Sequence, residues 1–351
     1  MKKNISIVGY GGQGGWHGIM AQKNDVVNIA GIYDIRPERI ELAKKRELHV
    51  YNSFEEVLSD KNVDIVVCAT PNDSHEEICI KALEAGKHVI CEKPVTMSVQ
   101  SFDRMVAAAK KSGKLFSVHQ NRRWDPDFLA IKEMINSLEI GDVFRIESRV
   151  HGSRGVPGGW RSKKENGGGL VLDWGVHMID QMLQAIPDEI DTISCQCTYL
   201  TCSEVDDGFR LTINFKGGRQ GYLEVTSYNF IKLPRLYMLC KKGTALIPDF
   251  KENVQVTKCK AWNEREVLPV QTAAGITLTM SPRDEVTIDR YEKELPESDP
   301  HDFYRNFCDT IDGKAEQIVK NSEVRRVLKV IMAAFESDRN GGAPIPFDEL
   351  A

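Results

Sequence analysis

The stretch Gly167–Asp180, GGGLVLDWGVHMID, sets Asp173, His177 and Asp180 in otherwise apolar sequence. Polar groups in such surroundings are costly unless they are paired or used. Read as a helix, the stretch puts Asp173 and His177 on one face, a turn apart. A carboxylate and an imidazole so placed can act together on one ligand atom. Three uses fit: a catalytic set, metal ligands, or polar groups satisfied in a core. Metal is the poorer fit, because the first and last ligands lie about two turns apart and no further ligand cluster follows. Asp180 reads as structural, holding the helix by hydrogen bonds.

Two other places carry chemistry. The run GYGGQG puts Gly9, Gly11 and Gly14, with Gly12 and Gln13 between them, between an expected strand and an expected helix. Asp34 ends the next strand, 20 residues beyond Gly14. That is the dinucleotide pattern, with a pyrophosphate at the helix N-terminus and an acid on the adenosine ribose. A carboxylate at Asp34 favours NAD over NADP. Arg36 works the other way, since an arginine can pair with a 2′-phosphate or stack on adenine. The run CEKPV, Cys91–Val95, puts Glu92 and Lys93 at the carboxyl end of another strand, where open α/β sheets bind ligands.

The elements that must position these groups follow from the pattern. Up to about residue 121, apolar strands alternate with capped helices, which implies a parallel, doubly wound sheet. SFEE at Ser53–Glu56 is a capping box. VDIVVCAT, Val63–Thr70, is uniformly apolar, as a strand buried on both faces should be. Later, strands follow one another without helices, and KGGR, Lys216–Arg219, reads as a hairpin turn. The expected fold is therefore α/β: a Rossmann domain over residues 1–121, then an α+β domain over 122–351. The second domain has a largely antiparallel open sheet, and its final helices are free to pack back on the first. Residues 251–300 carry further strands and loops.

Composition narrows the function. The chain has 351 residues, a net charge of −5 and no basic tract, so neither nucleic acid nor an anionic membrane is an expected partner. No apolar run reaches the ~20 residues of a membrane span. Nine cysteines without framework spacing suit reduced thiols in a cytoplasm. An open sheet face must be covered, which leads to an expected homodimer or homotetramer through the second domain.

Together, GYGGQGGWH, CATPNDSH (Cys68–His75), GKHVICEKP (Gly86–Pro94), QNRRWDPDF (Gln120–Phe128) and GGGLVLDWGVHMID resemble the Gfo/Idh/MocA oxidoreductases over nearly the whole length. The resemblance implies an NAD(P)-dependent dehydrogenase of sugars, inositols or related compounds. It implies Lys93, Asp173 and His177 as the catalytic set, with the glycines before Asp173 letting the chain approach the cofactor. It places Thr70, Pro71 and Asn72 against the cofactor ribose and nicotinamide. His75 either joins them or caps its helix, and Glu92 either binds the nicotinamide ribose or pairs with Lys93. Substrate contacts are expected from Arg122, Trp124, Trp160 and Arg161 beside Asp173 and His177, within a wider group holding Arg123, His151 and Arg154. Either Lys93 or His177 takes the alcohol proton. One variant oxidises a glycoside to a 3-keto sugar for a partner lyase. Two rivals stand beside the dehydrogenase. One is a non-catalytic NAD-binding sensor, which has no need of all three catalytic groups. The other is a metal-dependent lyase or hydrolase.

Overall fold

The computed structural model describes residues 2–260, 270–277 and 283–348. Its first sheet holds β1 (Lys3–Val8), β2 (Val27–Tyr33), β3 (Ile65–Cys68), β4 (His88–Cys91) and β5 (Phe116–Val118). All pair in parallel, in the order β2-β1-β3-β4-β5. Helices α1 (Gly12–Gln22), α2 (Pro37–Lys45), α3 (Phe54–Ser59), α4 (His75–Glu84) and α5 (Val99–Ser112) connect them. Every residue of β3 is fully buried, as helices on both faces of a parallel sheet require. The chain turns one way from β1 to β2 and the other way to β3. The crevice between the carboxyl ends of β1 and β3 is thus the switch point where such sheets bind ligands. Ser53 accepts from the Glu56 N–H and opens α3, as its capping pattern requires.

The second domain begins with α6 (Pro126–Ser137) and β6 (Val143–His151). A loop then leads to α7 (Val176–Ala185), followed by β7 (Ile190–Thr198), β8 (Gly208–Phe215), β9 (Gln220–Thr226), β10 (Leu236–Cys240), β11 (Gly243–Ile247) and β12 (Val254–Cys259). After these come the small pair β13 (Val270–Thr272) and β14 (Gly275–Thr277), then β15 (Ile288–Lys293), α8 (Asp302–Ile311), α9 (Asn321–Arg339) and β16 (Ile345–Pro346). Residues 261–269 and 278–282, within the span expected to hold strands and loops, lie outside the described residues. The nine-stranded sheet runs β15-β12-β11-β10-β6-β9-β8-β7-β16. It is antiparallel except where β6 pairs with β9. Gly217 and Gly218, at φ 91° and 88°, close the β8–β9 hairpin at the expected place, a backbone that favours glycine.

Two cores result. The first gathers the parallel sheet and its helices, and also Phe303, Tyr304 and Phe307 from α8. The second lies between the large sheet and α6, α7 and α9. The opposite face of that sheet carries Arg145, Glu147, Arg149, Tyr222 and Glu224, joined by ion pairs and hydrogen bonds. Cys68, Cys79, Cys91, Cys195, Cys197, Cys202, Cys240 and Cys308 are free thiols, and among the described residues no helix is long and apolar enough to cross a membrane.

Candidate active site

The opening stretch is not a regular helix throughout. Val171–Gly175 forms a π turn, and α7 continues from Val176. Asp206 explains the wide turn, because Oδ2 accepts from the Leu170 and Val171 N–H groups at 2.7 and 2.8 Å. Burial pushes the Asp206 carboxyl up to about 6 against those two bonds. The glycines before it are required by the protein itself. A Cβ at Gly169, φ 99°, would sit 2.2 Å from Asp206 Oδ1, and one at Gly168 would sit 2.3 Å from Arg161 O. Both glycines thus pack against the chain itself.

Lys93 reaches Asp173 from the end of β4. Its Nζ donates to Asp173 Oδ1 and to the Asp173 backbone oxygen, both at 3.0 Å. Arg161 Nε donates to Asp173 Oδ2 at 3.1 Å. Burial alone would raise the Asp173 carboxyl, but Lys93 and Arg161 outweigh it and hold the group below the usual range. Two of the three lysine N–H groups are spent, which leaves one to point at a ligand.

His177 lies one helical turn on and is buried, and its Nδ1 has no hydrogen-bond partner among the described residues. Burial, then the charges of Lys93 and Arg122, hold its pKa well below the ordinary value. At neutral pH it is therefore an uncharged imidazole with a free lone pair. A sequence pattern supplied all three residues, and the fold brings them to one place.

Helix α7 is anchored from below. Arg123 donates to both oxygens of Asp180 at 2.8 and 2.6 Å, and to Glu323 Oε2 at 2.7 Å. Asp180 is thus structural, and its carboxylate is committed to Arg123 and not grouped with Asp173. Gln181 donates to Arg122 O and accepts from Arg235, whose guanidinium pairs with Asp127. Arg123 is likewise an anchor of α7 and not a substrate contact.

The other expected contacts divide. The Arg122 guanidinium lies 4.4 Å over the Trp174 ring and pairs with Asp125, while Arg161 stacks on Trp160, also at 4.4 Å. These form one wall beside Asp173. Trp124 packs edge-on against Phe303 at 5.9 Å, on the border of the first core. His151 Nδ1 accepts from the Leu233 N–H and so braces a loop, and Arg154 is exposed. His75 is fully buried, with its ring nitrogens 2.9 Å from Thr70 O and 3.1 Å from Val95 O. It makes no cap, and it braces the loop that carries Thr70, Pro71 and Asn72. Asn72 donates to Gly167 O at 3.1 Å, which ties that loop to the glycine-rich one.

The dinucleotide cradle fits on geometry. Gly11 caps α1 without a side-chain bond, Gly12 and Gln13 are exposed on its first turn, and a Cβ at Gly12 would meet nothing within 4 Å. The first N–H groups of α1 are open to an anion. Gly14 is needed for helix–strand contact, since a Cβ there would sit 1.9 Å from Gly9 O. Asp34 accepts from the Tyr10 and Arg36 N–H groups at 2.6 and 2.9 Å, which fixes its carboxylate beside the crevice.

Comparison with known proteins agrees. Residues 3–120 match the model of the oxidoreductase family with an NAD-binding Rossmann fold, and residues 128–246 match the Gfo/Idh/MocA C-terminal domain. The chain belongs to the Gfo/Idh/MocA oxidoreductase family. It is 28% identical over 345 residues to scyllo-inositol 2-dehydrogenase (NADP(+)) IolW of Bacillus subtilis, covering 95% of this chain and 93% of that one. An uncharacterized oxidoreductase of Schizosaccharomyces pombe matches at 33% over 201 residues, so the chain spans about half of that relative, 55%. A crystal structure of an NAD-binding protein from Listeria innocua superposes with a TM-score of 0.94 at 44% identity, over 99% of each chain. The chain is thus an oxidoreductase of a family built on an NAD(P)-binding Rossmann fold.

Sequence reading of this Gfo/Idh/MocA chain missed three residues around Glu92. His17 Nε2 and His119 Nδ1 reach Glu92 Oε1 at 2.8 and 2.7 Å, the Lys93 N–H donates to Oε2 at 3.1 Å, and the Tyr304 hydroxyl meets His17 Nδ1. Glu92 therefore makes no side-chain pair with Lys93, and its oxygens are already in use. Only His119, one residue past a buried strand, offered a signal in the sequence.

Proposed function

We propose that this chain is an NAD-dependent dehydrogenase that oxidises a secondary hydroxyl of a sugar, inositol or glycoside. The observation that carries the reading is the Lys93 ammonium held 3.0 Å from Asp173, with a neutral His177 a turn away whose Nδ1 has no partner among the described residues. Bound oxidised nicotinamide supplies the hydride acceptor. The third Lys93 N–H donates to the substrate oxygen and stabilises the alkoxide charge that develops there. His177 accepts the hydroxyl proton through its free lone pair. The C–H electron pair leaves as hydride, and the carbon becomes a ketone. Asp173 orients Lys93, and Arg161 steadies the second oxygen of Asp173. Arg122, Trp174 and Trp160 wall the site with donors and ring faces that suit a polyhydroxylated ligand.

Asp34 supports NAD, because its buried carboxylate would repel a 2′-phosphate. The relative IolW is named for NADP(+), so both cofactors belong in the test. Purified protein is assayed for reduced cofactor with NAD and with NADP against separate pools of inositols, hexoses, uronates and glycosides. Turnover with one pool supports the reading and names the substrate class. Dinucleotide binding without turnover in any pool would contradict it and favour the sensor.

A further inference from the structure

Glu92 is a buried carboxylate whose partners all donate to it. Proton bookkeeping supports this. The Tyr304 hydroxyl donates to His17 Nδ1, so His17 carries its proton on Nε2 and gives it to Glu92 Oε1. Burial, followed by the neighbouring His119, lowers the pKa of His17. His119 donates from Nδ1, and its Nε2 is buried without a partner. Burial alone would raise the Glu92 carboxyl, but the charge interaction with His119 and the hydrogen bonds from His119 and His17 outweigh it and hold the group well below the usual range.

The carboxylate stands on the residue next to Lys93. Asp173 is spent on Lys93 and Arg161, whereas among the described residues no lysine or arginine pairs with Glu92. The Glu92 charge also reaches His177, where it opposes the lowering by burial, Lys93 and Arg122.

We propose that Glu92, fixed by His17 and His119, is the counter-charge for the oxidised nicotinamide and makes the protein hold the oxidised cofactor in preference to the reduced one. The proposal rests on the dehydrogenase reading above, which brings the nicotinamide to Lys93 and His177. Oxidised nicotinamide carries a positive charge that the reduced ring lacks, and a fixed anion in a low-dielectric site discriminates between them. A carboxylate with no lysine or arginine partner among the described residues keeps its charge for the ring. Because the carboxylate is held by three donors, it cannot turn away or take up a proton as the cofactor changes state. The role is one of positioning charge and not of touching the reacting atoms.

The test is calorimetric titration of the full-length protein with NAD⁺ and NADH separately, repeated with NADP⁺ and NADPH. Wild type, Glu92→Gln and Tyr304→Phe are compared. Wild type is expected to bind the oxidised form at least as tightly as the reduced. Glu92→Gln should shift the ratio of the two dissociation constants by about tenfold toward the reduced form. Tyr304→Phe disturbs the same cluster but keeps its charge, so the ratio should not move. An unchanged ratio in Glu92→Gln, or an equal shift in Tyr304→Phe, overturns the proposal while leaving the dehydrogenase reading intact. If Glu92→Gln does not fold, a wild type that prefers the reduced cofactor tenfold overturns it alone. A chain that binds neither form of either dinucleotide overturns both readings.

Discussion

Lys93 Nζ lies 3.0 Å from both the backbone oxygen and Oδ1 of Asp173, a residue 80 positions later in the chain. The contact joins the end of a Rossmann strand to a π turn of the second domain, so the site is assembled only when the two domains meet. Asp173→Asn keeps the shape of that contact but removes the charge. Turnover should fall about a hundredfold or more, while calorimetric affinity for the dinucleotide stays close to wild type. An equal loss in both would make Asp173 a cofactor residue.

His177 fixes the acid side of the pH profile. An unperturbed histidine titrates near about 6.5, and His177 is held well below that. Its lone pair should therefore remain free as the pH falls through that value, and kcat/KM should show no acid limb there. Stability has a matching sign. Unfolded His177 takes up a proton near about 6.5 and the folded residue does not, so the unfolded chain binds more protons below that pH. The stabilisation is present above about 6.5 and is lost as the pH falls below it. His177→Phe should flatten that part of the denaturation-midpoint curve against pH.

Arg123 is 5% exposed on its side chain and bonds both oxygens of Asp180, itself 3% exposed. Removing one partner leaves a buried charge uncompensated. Arg123→Met should cost about 3–5 kcal/mol by chemical denaturation, with activity following the fraction folded. Adding Asp180→Leu should recover much of the loss, since an apolar pair can replace a buried ion pair. A double variant less stable than the single one would show that the pair does more than anchor α7.

Asp34 decides between the two cofactors. Asp34→Ser removes the charge that disfavours a 2′-phosphate, and Arg36 stands ready to pair with it. The preference for NAD over NADP, measured as a ratio of kcat/KM, should move about tenfold toward NADP. An unchanged ratio would place the discrimination elsewhere in the crevice.

Much of this was readable from residue pattern, for physical reasons. The apolar run of β3, the capping serine at Ser53 and the two glycines of the β8–β9 turn are local signals, and each produced its element. Lys93, Asp173 and His177 were readable because they sit in short motifs. Contacts that depend on distant segments were hidden. Nothing near Glu92 announces His17, 75 residues before it, or Tyr304 on a late helix. The π turn at Asp173 depends on Asp206, whose grip on Leu170 and Val171 is a tertiary fact.

The most direct measurement is reduced-cofactor formation by wild type and by Lys93→Ala, with NAD and with NADP, across the pooled inositols, hexoses, uronates and glycosides. The account predicts a substrate-dependent rise with wild type and none with Lys93→Ala, although the variant still binds the dinucleotide. Undiminished turnover in Lys93→Ala would contradict the assignment of the Lys93, Asp173 and His177 site.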